Sequence, residues 1–244
     1  MLSIDQSRGF KTALWNQSYL CHTIKKKRKK EVRMKVLLLN GSPNQEGCTY
    51  TALKEVEKVL QEEGIETEIF WIGKKAVGGC IACLKCRTEK KCVLEGGVNE
   101  FMELAKSADG FVFGTPVHFA AASGSITSFL DRLFYSTAVS GQREIFRLKP
   151  GANIAIARRG GTTAALDQLN KYQTYCEMPL VSSSYWNMVH GAKPEQVAED
   201  KEGLHTMRVL ARNMAYLVKC QEACKAAGLD KPESEPKEWT NFIR

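Results

Sequence analysis

Short apolar runs alternate with amphipathic segments along the chain from Met34 onward. Residues 36–39 (VLLL) form a wholly apolar run, which is typical of a strand that a parallel sheet buries on both faces. Residues 49–63 carry apolar side chains at helical spacing, and Gly64 follows as a C-terminal cap. The domain is therefore predicted to begin with a buried strand and an amphipathic helix.

The alternation continues through four further strand–helix units. Strands two to five are predicted at residues 66–72, 110–114, 153–157 and 180–188. The helices that follow them are predicted at residues 98–107, 125–135, 162–176 and 195–225, the last with a break near Gly203. Five such units in succession predict an α/β domain, a doubly wound parallel sheet with helices on both faces.

In a doubly wound sheet, ligands bind outside the carboxyl ends of the strands, so the loops after strands one, three and four are informative. Residues 41–49 (GSPNQEGCT) form the first loop and the start of its helix. Amides and the dipole at a helix N-terminus favour an anion, and the Ser42 and Thr49 hydroxyls add donors. An ordinary turn with Thr49 as N-cap is the alternative. The loop has neither a dinucleotide fingerprint nor a P-loop.

The third and fourth loops suit a flat, electron-rich ligand. Residues 114–124 (GTPVHFAAASG) combine a rigid Pro116 with small residues that allow close approach, and His118 and Phe119 can pack against a ring system. Taken alone, His118 is better explained as a structural histidine. Residues 158–163 (RRGGTT) place arginines and paired glycines before a helix, which suits an anionic ligand. A flexible turn with solvated arginines is the alternative there.

Four cysteines lie close together after strand two, at Cys80, Cys83, Cys86 and Cys92. Their spacing, C-x2-C-x2-C-x5-C, is compact enough for thiolates to surround one soft metal centre, and ferredoxins hold iron–sulfur clusters with a similar run. Structural zinc sites usually use two separated cysteine pairs, so the spacing favours an iron–sulfur cluster over zinc. A loop of free thiols is the third alternative, since a reducing cytosol would allow it.

The formal net charge of +8 belongs mostly to the N-terminus. Residues 1–33 carry nine basic and two acidic residues, which leaves a net charge of +1 for residues 34–244. The globular part therefore gives no support to a basic nucleic-acid-binding groove. We interpret the basic run at residues 25–30 (KKKRKK) as part of a solvated, disordered extension, with a nuclear signal or a nucleic-acid patch as the alternative.

Other features of the whole chain indicate a cytoplasmic protein. A hydrophobic fraction of 43% is ordinary for a globular domain. No apolar run approaches the roughly eighteen residues of a membrane span, and residues 1–33 lack the apolar region of a signal peptide. The cysteines are clustered rather than spread as a disulfide framework. We therefore expect a cytoplasmic location and no membrane partner.

The loops and the cysteine motif resemble a known family. GSPNQEGCT, GTPVHFAAASGSITSFLDR (residues 114–132) and RRGGTT resemble loops of the NADPH-dependent FMN reductase group in the flavodoxin-like superfamily. The cysteine motif after strand two resembles that of the iron–sulfur flavoprotein branch of this group. The resemblance spans residues 34–225. It implies a five-stranded sheet of order 2-1-3-4-5 and one FMN-binding domain at residues 34–228.

The resemblance also implies the remaining segments and the site. Residues 77–97 would be a cysteine-rich insert on the ligand side of the sheet, near the flavin, and residues 229–244 a polar C-terminal tail. The implied FMN-binding residues are Ser42, Asn44, Cys48, Thr49 and Tyr50 at the phosphate, and Thr115, Pro116, Val117, His118, Phe119, Arg158, Gly160 and Gly161 at the ring. The four clustered cysteines would bind one 4Fe–4S cluster.

The implied function is that of an FMN-dependent oxidoreductase, in which the flavin performs the electron chemistry and no side chain acts as a general acid or base. NAD(P)H or a ferredoxin would supply electrons, and a small molecule or a protein would accept them, through the cluster where one is bound. A homodimer or homotetramer without nucleic-acid partners is expected. The alternatives are a cluster-free NAD(P)H-dependent FMN or quinone reductase and a non-catalytic thiol or metal redox sensor.

We predict that residues 1–33 are dispensable for folding and for flavin binding, because their composition cannot bury enough apolar surface to form a core. A shortened chain that begins at Met34 should unfold at the same temperature as the full chain and bind FMN equally well. Thermal unfolding and flavin titration measure the two properties. A large fall in the melting temperature would show instead that the extension packs on the domain.

Overall fold

The computed structural model describes residues 33–238, 240 and 242. The predicted disordered extension therefore lies outside the described residues, apart from Arg33 at its end. The predicted C-terminal tail is described in part. Its residues 229–238 are exposed and carry no helix or strand.

Six strands form the sheet of the described chain: β1 (Lys35–Asn40), β2 (Glu66–Trp71), β3 (Gly110–His118), β4 (Ala121–Ala122), β5 (Gly151–Ala157) and β6 (Met188–His190). Five of them are parallel, in the order β2-β1-β3-β5-β6, and β4 pairs antiparallel with the end of β3. The fourth and fifth predicted strands correspond to β5 and β6. The predicted order 2-1-3-4-5 is therefore confirmed.

Helices cover both faces of this sheet. Within the described residues they are α1 (Cys48–Glu62), α2 (Cys86–Glu89), α3 (Val98–Lys106), α4 (Gly124–Val139), α5 (Thr162–Tyr175), α6 (Pro194–Glu199) and α7 (Lys201–Ala226). The apolar core on one face includes α3, α4 and α5, and the core on the other face includes α1, α6 and α7. None of these helices combines the length and the apolar character that a membrane crossing requires.

Successive side chains of β1 pack alternately in the two apolar cores. Leu37 and Leu39 pack in the core with α3 and α4, whereas Val36 and Leu38 pack in the core with α1 and α7. All four side chains are fully buried, as expected for a central strand of a parallel sheet. Full burial of each contributes about 1.5–3 kcal/mol, so this strand fixes where its last residue, Asn40, emerges at the edge of the sheet.

The fifth strand begins later than predicted. Residues 180–188 are predicted as a strand, yet β6 begins only at Met188, and Leu180 contributes an isolated bridge. The Ser183 hydroxyl donates to the Tyr185 carbonyl oxygen at 2.6 Å, which holds the intervening segment in a turn. The prediction was wrong here because local side-chain hydrogen bonds of this kind compete with a strand ladder.

The long C-terminal helix is broken slightly before the predicted position. α6 ends at Glu199 and α7 begins at Lys201, so the break falls at Asp200. The Asp200 carboxylate accepts a hydrogen bond from the Gly203 amide at 2.9 Å. Asp200 therefore caps α7, and this cap is the physical cause of the break that we predicted near Gly203.

The third strand is longer than predicted, and the third loop is shorter. Residues 115–118 continue β3, where the first two pair with β5 and the last two pair with β4. The connection to β4 is therefore a two-residue turn at Phe119 and Ala120. Both residues have left-handed backbone angles, with φ of 51° and 58°. Such angles cost about 1–3 kcal/mol each in a residue other than glycine, and they cluster at functional sites.

The loop after β5 packs closely against this turn. Gly161 has a φ of 99°, and a Cβ added to it would lie 2.5 Å from Ala120 Cα and 2.9 Å from Val117 Cγ1. Glycine alone combines the left-handed angle with so close an approach. At the neighbouring Gly160, an added Cβ would meet open space. Gly161 therefore joins the third and fourth loops into one surface.

We predict that Gly161→Ala destabilises the FMN-free protein by more than about 1 kcal/mol, because alanine tolerates neither the backbone angle nor the contact with Ala120. Gly160→Ala is the matched control, and it should change the free energy of unfolding by less than about 0.5 kcal/mol. Urea unfolding of both variants measures the difference. Equal stabilities would contradict the close packing of the two loops.

Candidate functional site

Asn40, the last residue of β1, organises the loop that follows it. Its Nδ2 donates to the Gln45 carbonyl oxygen at 2.9 Å, and its Oδ1 accepts the Ser42 amide at 3.1 Å. Ser42 Oγ in turn accepts the Asn44 amide at 3.1 Å. Trp71 Nε1, at the end of β2, donates to the Ser42 carbonyl oxygen at 2.8 Å. The protein's own side chains therefore hold the first loop in shape.

The N-terminus of α1 has the features of an anion site. Gly47 is its N-cap, and no side chain caps the helix. Thr49 is 1% exposed, and its buried Oγ1 has no hydrogen-bond partner among the residues that the structure describes. The alternative in which Thr49 acts as the N-cap is therefore wrong. A phosphate would complete this arrangement, since it accepts from both the hydroxyl and the uncapped amides.

The other residues predicted at the phosphate surround the same helix end. Asn44 is exposed, whereas Cys48 and Tyr50 are half-buried. Burial raises the pKa of the Cys48 thiol above its ordinary value, and the Glu195 carboxylate acts in the same direction. The thiol is therefore neutral at physiological pH and adds no negative charge beside a bound phosphate.

Hydrogen bonds connect the first loop with the third. The Gly41 amide donates to the Gly114 carbonyl oxygen at 2.9 Å. Ser123, the N-cap residue of α4, donates from Oγ to the Gly41 carbonyl oxygen at 3.2 Å. The Ser123 amide donates to Thr115 Oγ1 at 3.1 Å. Thr115 is fully buried, so its hydroxyl positions the start of α4, and its side chain does not face the open edge.

The remaining residues predicted at the ring line the carboxyl edge beside this junction. Pro116 and Val117 are half-buried, and His118 and Phe119 are exposed at the turn after β3. Across the turn lie three residues of the loop after β5, namely Arg158, Gly160 and Gly161, of which the first two are exposed. The structure thus brings an anion site and an exposed aromatic edge to one side of the sheet, as an amphipathic, phosphorylated ring ligand requires.

The four clustered cysteines surround one cavity against α4. Its lining includes Cys80, Cys83, Cys86 and Cys92 together with Arg132, Tyr135 and Ser136 of that helix. Cys80 and Cys83 are exposed, Cys86 is buried and Cys92 is half-buried. Among the described residues, no group of three or more histidine, cysteine or acidic side chains is gathered for a single metal ion. The four thiols nevertheless line one common cavity, as the sequence spacing predicts.

Backbone turns and polar side chains shape this cysteine loop. Ala82 and Leu84 have left-handed backbone angles, with φ of 50° and 59°, which turn the chain between successive cysteines. Asn99 fixes the last cysteine on both sides, because its Oδ1 accepts the Cys92 amide at 2.8 Å and its Nδ2 donates to the Cys92 carbonyl oxygen at 2.7 Å. Lys90 Nζ donates to the Ser140 carbonyl oxygen at 3.0 Å and ties the loop to the end of α4.

Arg132 places a buried cation beside the thiols. It is 1% exposed, and its Nε donates to Cys92 Sγ at 3.3 Å. No carboxylate forms an ion pair with it among the described residues. A buried cation needs compensating negative charge, which thiolates or a sulfide-bearing cluster would supply. The donor set therefore fits an anionic iron–sulfur group.

The free thiol of Cys86 is neutral. Burial raises its pKa above the ordinary value, and the neighbouring Cys80, Cys83 and Cys92 act in the same direction. A metal centre binds thiolates, so occupation of this cavity would release protons.

The cysteine cavity lies along α4, the helix that begins at the third loop. Arg132 lies nine residues beyond Ser123, and a helix rises about 1.5 Å per residue, so this part of the cavity lining is displaced along α4 by roughly 14 Å. Trp71, at the end of β2 and before the cysteine loop, contacts the first loop through the Ser42 carbonyl oxygen. The expectation that the cysteines lie near the flavin therefore stays a prediction.

Several residues of the site were not predicted from the sequence. Asn40 and Trp71 shape the phosphate loop, and Asn99 and Arg132 shape the cysteine loop. A signal for Arg132 was present, because this charged residue lies among the apolar side chains of a core-facing helix. Asn40 likewise is a buried polar residue at the end of an apolar strand.

Comparison with known proteins places this geometry in a family. The sequence profile of the NADPH-dependent FMN reductase family matches residues 34–193. An iron–sulfur flavoprotein of Methanocaldococcus jannaschii is 32% identical over 193 residues, which cover 76% of this chain and 98% of the relative. An iron–sulfur flavoprotein of Archaeoglobus fulgidus is 29% identical over 192 residues, which cover 75% of this chain and 97% of the relative.

The fold comparison agrees with the sequence comparison. A flavodoxin, a WrbA-like protein from Agrobacterium tumefaciens, superposes with a TM-score of 0.54 at 14% identity, covering 78% of this chain and 99% of the other. This likeness confirms the flavodoxin-like fold. The chain belongs to the NADPH-dependent FMN reductase family, in its iron–sulfur flavoprotein branch, and is a flavin-dependent oxidoreductase.

Proposed function

We propose that the chain binds FMN non-covalently at the loops after β1, β3 and β5. The buried Thr49 hydroxyl, which has no partner in the described part of the chain, carries this proposal, because it marks an anion site at the uncapped start of α1. The exposed aromatic edge beside that site suits the ring of the same ligand. The family match supports FMN as the occupant.

The proposed binding residues divide by role. Ser42, Asn44, Cys48, Thr49 and Tyr50 surround the phosphate end, where hydroxyls, amides and the helix dipole stabilise negative charge. Residues 115–119 and the loop after β5 border the ring. Arg158 would add positive charge at the polar edge of the ring and favour its electron-rich, reduced form. Bound FMN supplies hydride and one-electron chemistry, so the chain's task is to bind, orient and shield it.

We predict opposite effects of Thr49→Val on flavin binding and on stability. FMN binding should weaken by about 1–3 kcal/mol, the scale of a lost charge-assisted hydrogen bond. The FMN-free protein should be as stable as before or more stable, because the hydroxyl bonds to no group of residues 33–238 that the substitution would remove. Fluorescence titration with FMN and urea unfolding measure the two effects.

Thr51→Val is the matched control on the same helix. Its Oγ1 donates to the Gly47 carbonyl oxygen at 3.3 Å, so this hydroxyl is already used within the protein. FMN affinity should therefore change little in this variant. Unchanged affinity in Thr49→Val would place the phosphate elsewhere.

We further propose that Cys80, Cys83, Cys86 and Cys92 hold one 4Fe–4S cluster. The shared cavity of the four thiols and the buried cation beside it support an anionic centre. Two relatives that this chain matches over nearly their whole length are named iron–sulfur flavoproteins, which supports the same occupant. Asn99 and Arg132 position Cys92, the last of these cysteines.

The remaining parts of the function are proposals of the same kind. Electrons would come from NAD(P)H or a ferredoxin and pass to a small-molecule or protein acceptor, and the family match supports a nicotinamide donor. A homodimer or homotetramer is proposed as the assembly that the family resemblance implies. A cytoplasmic location fits a compact run of reduced thiols.

We predict that protein purified without air contains iron and sulfide in a 4:4 ratio per cluster, together with FMN. Cys83→Ser should abolish the cluster absorption and the iron content while FMN remains bound. Cys224→Ser is the control, since Cys224 is an exposed thiol on α7 outside the cavity, and it should keep both groups. Iron, sulfide, zinc and flavin assays on one preparation measure these contents. Flavin without iron, or with zinc, would support the cluster-free reductase instead.

A further inference from the structure

Arg132 is a buried arginine that packs against the cysteine loop and forms no ion pair with any carboxylate of the described residues. We propose that Arg132 is the counter-charge of the cysteine centre and raises its reduction potential, acting as a positioning residue through Cys92. This inference rests on the 4Fe–4S cluster proposed above. It assigns a role to a side chain that contacts neither the flavin loops nor an acidic residue in the described part of the chain.

The guanidinium joins both ends of the cysteine loop. Its Nη2 donates to the Leu94 carbonyl oxygen, and its Nη1 donates to the Gly78 carbonyl oxygen at 3.5 Å. Its Nε donates to Cys92 Sγ at 3.3 Å. The planar fork of arginine makes these three bonds at once, which an ammonium group does less well. Arg132 therefore holds the loop closed around the cavity and aims one donor at a ligand sulfur.

The charge balance of this contact points to an anionic occupant. Removal of a cation from water is costly unless nearby negative charge and hydrogen bonds compensate for it. Two carbonyl oxygens and the sulfur of Cys92 give only partial compensation for Arg132. Four thiolates on one cluster would give a net negative charge next to it. The guanidinium and the occupied cavity thus stabilise each other.

The expected effect on the potential follows from the same contact. Reduction adds an electron to the cluster, and a nearby cation stabilises the reduced state more than the oxidised one. A hydrogen bond to a ligand sulfur acts in the same direction, and such bonds are among the factors that set cluster potentials. Because Arg132 is buried, water screens its charge little. It should therefore matter more than the exposed basic residues of the loop.

Arg87 provides the matched control. It directly follows Cys86, carries the same charge and is exposed to solvent. Its backbone amide donates to the Leu84 carbonyl oxygen at 2.9 Å, a bond that the substitution of the side chain leaves in place. Removal of this charge measures how much a solvent-exposed arginine near the cysteines contributes to the reduction potential of the cluster.

The experiment is a redox titration of the holoprotein, followed by electron paramagnetic resonance, on wild type, Arg132→Met, Arg132→Lys and Arg87→Met. In Arg132→Met the reduced-to-oxidised ratio at a fixed potential should fall at least about tenfold, which is a shift of about 59 mV for one electron. Arg132→Lys should show a smaller shift, because it keeps the charge. Arg87→Met should shift the ratio by less than about twofold.

An unchanged potential in an Arg132→Met protein that keeps its cluster would overturn the inference, as would an equal shift in Arg87→Met. Where the Arg132 variants lose the cluster, the test moves to an Arg87→Met protein labelled with nitrogen-15 at its arginines. A nitrogen-15 coupling to the reduced cluster supports the Arg132 contact, and its absence overturns it. Wild type without iron and sulfide is a different result, which would refute the proposed cluster itself.

Discussion

The hydrogen bond from the Gly41 amide to the Gly114 carbonyl oxygen brings the first and third loops together, and the flavin edge depends on this junction. Both positions exclude a side chain, because a Cβ at Gly41 would lie 2.6 Å from Ile126 Cδ1 and one at Gly114 would lie 2.8 Å from Thr49 Cγ2. The two glycines let α1 and α4 approach the sheet at one point. That approach places the Thr49 hydroxyl beneath the first loop.

The two candidate sites handle negative charge by different means. At the phosphate end the stabilisation comes from uncapped amides and neutral side chains, since burial keeps the Cys48 thiol protonated. At the cysteine cavity it comes from the buried guanidinium of Arg132. The helix dipole is a fixed partial charge, which suits a phosphate group whose own charge does not change during the reaction. A full charge against a sulfur ligand suits a centre whose own charge changes during turnover.

The spacing of apolar residues predicted the strands and helices that have a local sequence pattern. The bounds of the other elements depend on pairing with distant strands. The apolar run of β1 and the helical spacing of α1 made those elements predictable, as the cysteine spacing did for the shared cavity. The extension of β3 was not predictable, because it depends on pairing with β5 and β4. The contact between Arg132 and Cys92 joins residues forty positions apart, so no local pattern contains it.

The cysteine loop is almost a separable module, since it leaves at the end of β2, returns at the start of α3 and donates few side chains to the cores. The buried guanidinium of Arg132 connects the domain to this loop, in addition to the hydrogen bonds of Asn99 and Lys90. A relative that replaced the loop by a short turn but kept Arg132 would carry an uncompensated cation inside its fold. The insert and the arginine should therefore be inherited as a pair, so that gain or loss of the metal centre requires a change in the body of the domain as well.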